Sequence, residues 1–242
     1  MMMQLAGKKA LVTGASRGIG MAIALAYAVE GADVAVTGRS LEKLAPVVDK
    51  MHAMGRKAVA LEWDVSCVKG VDSRIEETAE KLGGLDLVVN NAGVIRSERF
   101  LSVTEEGWDA VMDTNLKGLY FSCQAAANHM IKKGIKGRII NIASDAGLRG
   151  APVPYGISKW GVIGLTKGIA GLLLPHGILV AAIAPGPVTT EMMNWEPGKP
   201  VEITSPFGRM AYPEEIAQLA VFLASQGASR IAGDTIVING GL

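Results

Sequence analysis

The sequence predicts an α/β fold: a doubly wound parallel sheet of about seven strands with helices on both faces, in a single domain spanning 1–242. Three observations carry that reading. Short aliphatic runs alternate with longer amphipathic stretches from end to end, the pattern of strand–helix–strand units with right-handed crossovers. The runs are continuous in Val, Ile, Leu and Ala, as in strands buried on both faces. Finally, 242 residues, 49% of them apolar and only 5% aromatic, suffice for one sizeable aliphatic core.

In chain order, strands are expected at 8–13, 33–37, 57–62, 85–90, 138–142, 178–183 and 234–238. Helix patterns fill 18–30, 41–54, 66–82, 104–133, 156–174 and 213–225, and the long 104–133 segment reads as two helices meeting near Asn115. The stretch 189–207 is rich in Pro, Gly and Met and has no period. An excursion of that length inside a compact domain reads as a substrate lid. Within it, Met192, Met193 and Trp195 fit either contact with an apolar substrate or packing of the lid itself.

Charge and composition narrow the function. The formal net charge is +1 with both signs interspersed, so no field recruits nucleic acid or an anionic membrane surface. No uninterrupted apolar run approaches the ~20 residues of a membrane helix. Nor does the N-terminus have a signal-peptide pattern. The two cysteines, Cys67 and Cys123, stand in unrelated contexts and read as free thiols of a reducing compartment; a cytoplasmic location is expected. His52, His129 and His176 have no partners at metal-ligand spacing, so no metal is expected.

Chemistry begins after the first strand, at Thr13-Gly14-Ala15-Ser16-Arg17-Gly18-Ile19-Gly20. Glycines there let the backbone turn and approach a pyrophosphate, which then sits at a helix N-terminus. Folds that prefer NAD place an acid after the second strand, to hold the ribose 2′-hydroxyl. Here that region reads Thr37-Gly38-Arg39-Ser40. Arg39 and Arg17 can clasp a 2′-phosphate or stand as solvated side chains. With the acid missing, NADP(H) is favoured over NAD(H). Farther along, Tyr155 and Lys159 lie four apart on one helical face. An ammonium near a phenol favours the phenolate and tunes it for proton exchange.

Taken with Asn90-Asn91-Ala92-Gly93 after the fourth strand, Ser144 after the fifth and Pro185-Gly186 after the sixth, these motifs resemble the short-chain dehydrogenase/reductase family across essentially the whole chain. The resemblance is to ketoreductase-like members similar to 3-oxoacyl-acyl-carrier-protein reductases, and it implies a Rossmann-type fold. It also implies that Tyr155 is the acid in reduction and the base in oxidation. By the same resemblance Ser144 orients the substrate oxygen, Lys159 binds the nicotinamide ribose and lowers the tyrosine pKa, and Asn115 interrupts its helix to hold a relay water. Gly14, Ser16, Arg17, Gly18, Ile19, Gly20 and Arg39 then line the cofactor. Asp64 and Val65 meet its adenine, Asn91, Ala92 and Gly93 border it, and Pro185, Gly186, Val188 and Thr190 approach its carboxamide. Asn90 reads as a sheet-stabilising residue.

The expected activity is hydride transfer between NADPH and a small-molecule carbonyl or alcohol, by a homotetramer with neither nucleic-acid nor membrane partners. Two alternatives stay open: an NAD-dependent alcohol, polyol or hydroxysteroid dehydrogenase, and a catalytically idle dinucleotide-binding protein. One feature departs from the family. Only ten residues separate Ser144 from Tyr155, a shorter spacing than in most relatives, and the gap follows Gly150 beside the expected substrate pocket. His176 stands where many relatives place a basic residue before the Gly-Ile of the sixth strand, which weakens the acyl-carrier reading.

Overall fold

Seven strands pair in parallel in the computed structural model, which describes residues 3–193, 195–196 and 206–242. They are β1 (Lys9–Val12), β2 (Asp33–Gly38), β3 (Ala58–Glu62), β4 (Leu87–Asn90), β5 (Arg138–Ile142), β6 (Leu179–Pro185) and β7 (Thr235–Ile238). Their spatial order is β3-β2-β1-β4-β5-β6-β7. After β3 the chain crosses to the far side of β1 to begin β4. The loops leaving β1 and β4 therefore part and open a crevice at the carboxyl edge.

Helices cover both faces because the strands are apolar on both. On one face α1 (Gly18–Val29), α2 (Leu41–Ala53) and α7 (Pro213–Ala224) bury Ile23, Leu44, Met51 and Ile216 against Val12, Val34 and Ile183. On the other, α3 (Val71–Leu82), α5 (Leu119–Lys133) and α6 (Pro154–Leu173) bury Ile75, Met130 and Val162 against Leu11, Val88 and Ile139. The short α4 (Glu105–Met112) leads into α5 and lies beside α6.

Local chemistry moves several boundaries. The 66–82 pattern becomes helical only at Val71, because Gly70 adopts φ +83° and Asp64 draws Ser66 into a turn. α6 starts at Pro154 rather than 156, where proline's missing N–H is harmless in a first turn. The 104–133 segment is two helices as expected, joined by a π-helical turn over Asp113–Gly118. With its following turn, α6 (Pro154–His176) is long and apolar enough to cross a bilayer by length and composition, although Lys159 and Lys167 interrupt it. Here it lies on β6 and buries Ser158, Lys159 and Thr166, and its outward side exposes Trp160 and Leu172.

Candidate active site

Because every strand is parallel, the carboxyl ends of β1 to β6 share one edge, and the predicted site residues gather there. The loop after β1 is closed down on its neighbours by glycine. A Cβ at Gly14, where φ is +64°, would lie 2.7 Å from Ala92 Cα, and one at Gly20 would lie 2.5 Å from the Gly14 carbonyl. At Gly18 it would lie 3.2 Å from Thr190 Cγ2, so the segment after β6 reaches over the same loop. Asn91 Nδ2 donates to the carbonyls of Thr13 (2.9 Å) and Gly14 (3.0 Å). Thr13 Oγ1 in return accepts the amides of Asn91 (3.0 Å) and Ala92 (3.1 Å).

This cradle fits a dinucleotide. The first turn of α1 has neither a side-chain cap nor an acidic residue, which leaves its amides for an anion. Ser16 in the loop and Ile19 in the first turn of α1 are half-buried, and Arg39 is exposed immediately beyond β2. Arg17 is exposed too, but it pairs with Glu191 of the segment after β6. Asp64 is exposed and accepts the Ser66 amide (3.0 Å) and hydroxyl (2.7 Å), while Val65 is buried with its carbonyl against Gly118 of the π-turn. Asp64 also borders a cavity of about 430 Å³ outside the edge strand β3, lined by Trp63, Cys67 and Arg74, which none of the catalytic candidates lines. Past Pro185, Gly186 presses on Asn239, and Val188 is buried and bridges to Ala211.

Four side chains converge beside the cradle. The π-turn carries Asn115, which is fully buried: Oδ1 accepts the Val94 amide (2.8 Å), and Nδ2 donates to the Val94 carbonyl (2.9 Å) and to Ser158 Oγ (3.2 Å). Ser158 donates onward to the Tyr155 carbonyl (2.7 Å), which ties the post-β4 segment to α6. Ser144 caps a 3₁₀ turn over Asp145–Gly147 by accepting the Ala146 amide (3.2 Å). Gly147 holds that turn against the backbone of Lys159 and Trp160, where a Cβ would fall at 2.7 Å. Gly93 completes the ring, since a Cβ on it would lie 3.3 Å from Asn115 Oδ1 and 3.6 Å from Lys159 Nζ.

Electrostatics separates the two α6 residues. Lys159 Nζ is buried, donates to the Ile142 carbonyl (2.7 Å) and lies 5.7 Å from the Tyr155 ring centroid. Burial lowers its pKa to about 8. Tyr155 is held above the usual phenol range: burial raises it most, the Ser144 hydroxyl lowers it, and the Asp145 carboxylate raises it further. The family resemblance implied a lowered tyrosine. In this structure burial outweighs the groups that favour the phenolate, and the direction is upward. A phenol so placed stays protonated at neutral pH and can give a proton to a basic oxygen.

Sequence reading did not single out Thr13, Asp145, Arg149, Ser158 or Glu191. It also missed a buried relay in which Ser122 Oγ donates to Asn90 Oδ1 (2.7 Å), Asn90 to Asn141 Oδ1 (2.9 Å) and Asn141 to Thr166 Oγ1 (3.0 Å). An asparagine at the last residue of β4 and another at the penultimate residue of β5 were the available signal, and their register puts them side by side. In the expected lid, Glu191–Met193 form a 3₁₀ turn and the Trp195 amide donates to the Thr190 carbonyl (3.3 Å). Residues 194 and 197–205 of that stretch lie outside the described residues.

Comparison with known proteins agrees with this geometry. A family model described as enoyl-(acyl carrier protein) reductase matches residues 14–242. The chain is 41% identical to 3-oxoacyl-(acyl-carrier-protein) reductase FabG of Staphylococcus aureus, covering 97% of this chain and 98% of that protein. It is 40% identical to a short-chain dehydrogenase/reductase of Armillaria gallica, covering 98% and 96%. Among solved structures, a short-chain type dehydrogenase/reductase from Mycobacterium marinum superposes with a TM-score of 0.90 at 37% identity, covering 99% and 96%. A short-chain dehydrogenase from Burkholderia cenocepacia in complex with NADP gives 0.89 at 34%, covering 98% of each chain. The protein therefore belongs to the short-chain dehydrogenase/reductase family of oxidoreductases, and within it is similar to the 3-oxoacyl-acyl-carrier-protein reductases.

Proposed function

We propose that this protein interconverts a small-molecule carbonyl and its alcohol with NADP(H), using Tyr155 as the acid in reduction and the base in oxidation. The observation that carries the reading is convergence. Asn115, Ser144, Tyr155 and Lys159 come from three separate chain segments, yet they meet at the crevice beside an uncapped helix N-terminus.

The cofactor supplies the hydride when bound. The chain's residues do the rest. Gly14, Gly18 and Gly20 bring backbone close to the pyrophosphate, and Arg39 stands where a 2′-phosphate is recognised. Ser144 orients the substrate oxygen, and Tyr155, protonated at neutral pH, donates to it as negative charge develops. Lys159 positions the nicotinamide ribose and steadies the phenolate left behind. Asn115, bound to both Val94 and Ser158, keeps the post-β4 segment and α6 in register. A 3-oxoacyl group is the leading substrate class, since relatives named for that activity align over nearly the full chain.

A homotetramer is part of the proposal, and the exposed apolar residues Trp108, Tyr120, Ile157, Trp160 and Leu172 of α4, α5 and α6 support it. Free thiols at Cys67 and Cys123 suit a reducing, cytoplasmic location.

The test is a fluorescence titration with NADPH and with NADH, repeated on Arg39→Asp. NADPH is expected to bind more tightly. The variant should lose that preference by roughly 10- to 100-fold, the worth of one charge-assisted contact. Tighter binding of NADH would refute the cofactor assignment.

A further inference from the structure

Arg17 and Glu191 meet across the cofactor crevice, and no step above uses that contact. Three sets of contacts fix where it forms. The Ala15 amide donates to the Thr37 carbonyl (3.0 Å), which seats the glycine loop against the end of β2, two residues before Arg39. On the other side of the loop, Thr190 lies over Gly18, where a Cβ would meet Thr190 Cγ2 at 3.2 Å. The segment carrying Thr190 is itself anchored to Ala211. The Thr189 amide donates to the Ala211 carbonyl (2.9 Å), and the Ala211 amide donates to the Pro187 carbonyl (3.0 Å). Just beyond, the Met193 amide donates to the Thr190 carbonyl (3.0 Å) at the 3₁₀ turn over Glu191–Met193. Glu191 is therefore held at a set place, and Arg17 Nη1 donates to its Oε2.

We propose that Glu191 competes with the 2′-phosphate of NADP(H) for Arg17, and is thereby a specificity-determining residue for the cofactor. The inference rests on the reading of the crevice as an NADP(H) site. Arg17 belongs to a loop flanked by the Arg39 segment on one side and by Glu191 on the other, so one guanidinium serves two anions. In the free protein Glu191 holds it. That hold is weak, because the two side chains are 64% and 65% exposed. An ion pair in such contact with solvent is worth no more than about fivefold in an equilibrium constant. A phosphate brings about two negative charges and three acceptor oxygens, and a guanidinium binds it through two parallel N–H···O bonds. The phosphate therefore displaces the carboxylate, but what it gains from Arg17 is reduced by what the pair was worth. A cofactor without the 2′-phosphate leaves the pair closed. Arg39 meets no such competitor, since it is exposed and joins no ion pair among the described residues. The two arginines thus differ in strength as readers of the same group.

The competition is tested by binding alone. NADPH and NADH are titrated by fluorescence, and adenosine 2′,5′-bisphosphate and 5′-AMP are used to displace them, on wild type, Glu191→Gln, Arg17→Gln and the double variant. Glu191→Gln frees Arg17 and should tighten NADPH and the bisphosphate by about 2- to 5-fold, with NADH and 5′-AMP unchanged. Arg17→Gln should weaken the two 2′-phosphorylated ligands by up to roughly tenfold. On that background Glu191→Gln should add nothing, because the competitor has lost its target. NADPH binding that is unchanged or weaker in Glu191→Gln overturns the competition. So does an equal gain for NADH, which would set Glu191 against the diphosphate instead. A gain that survives in the Arg17→Gln background also overturns it, since the lost charge would then act through space. The underlying reading fails separately. If wild type binds NADH as tightly as NADPH, or binds neither, the NADP(H) reading falls and the competition with it; if NADPH is preferred but Glu191→Gln is inert, only the competition falls.

Discussion

Around the glycine loop the cleft is made of backbone. A single Cβ at Gly14 or Gly20 would fall within 2.7 Å of another main-chain atom, and what is offered to a ligand is the uncapped amides of α1. Around Tyr155 it is made of buried side chains instead: Asn115, Ser144, Asp145 and Lys159 are each at most 7% exposed, and each is tied to a carbonyl, an amide or another side chain. The first construction tolerates few substitutions, because backbone already fills the space that a side chain would need. The second is a set of polar groups held out of water, where burial shifts the proton affinity of Lys159 and Tyr155.

Perturbing each half separately sharpens that contrast. The largest effect is expected from Lys159→Met, which keeps the buried volume and removes the ammonium. Turnover should fall by roughly 10²- to 10⁴-fold, and a rate within tenfold of wild type would break the catalytic assignment. Gly20→Ala should act on the frame, since its Cβ would meet Asn91 Nδ2 at 2.4 Å and the Gly14 carbonyl at 2.5 Å. A loss of roughly 1–3 kcal/mol in denaturant unfolding, together with weaker cofactor binding, is expected; unchanged stability would show that the loop relaxes more easily than its packing implies.

The smallest effect lies outside both halves. Arg209 holds Glu215 through two 2.8 Å hydrogen bonds, and these, with the Tyr212 amide, draw its carboxyl down to about 2. A depressed carboxyl stabilises the fold fully above its ordinary value of 4.5, and that contribution fades as pH falls toward 2. Because the pair is solvent-facing, Glu215→Gln should cost under about 1 kcal/mol near neutrality. The difference from wild type should vanish in acid, and thermal melts across that range would show it.

Much of this was legible in the sequence because it follows from local rules. Aliphatic runs bounded by glycines located all seven strands, and Gly14, Gly18 and Gly20 announced a close backbone approach before any neighbour was known. Asn115 was readable as a helix interruption, although not that the interruption is a π-turn. What stayed hidden depends on juxtaposition. Thr13 reads as an ordinary strand-end threonine until β4 lies beside β1, and Asp145 as a turn former until Gly147 seats its turn on α6. Arg17 reads as a phosphate ligand or a solvated side chain, and its pairing with Glu191, far along the chain, was not visible from the loop. The sign of the Tyr155 shift was hidden for the same reason, since YxxxK spacing reports the ammonium and says nothing of burial or Asp145.

The most direct test of the central claim is steady-state turnover of Tyr155→Phe with NADPH and a 3-oxoacyl ester, alongside cofactor titration. Phenylalanine keeps the ring and deletes the single proton that the account needs. Cofactor binding within a few-fold of wild type, with turnover reduced by roughly 10²-fold or more, is the predicted result. Turnover close to wild type with binding intact would contradict it, and would place the acid elsewhere in the cleft.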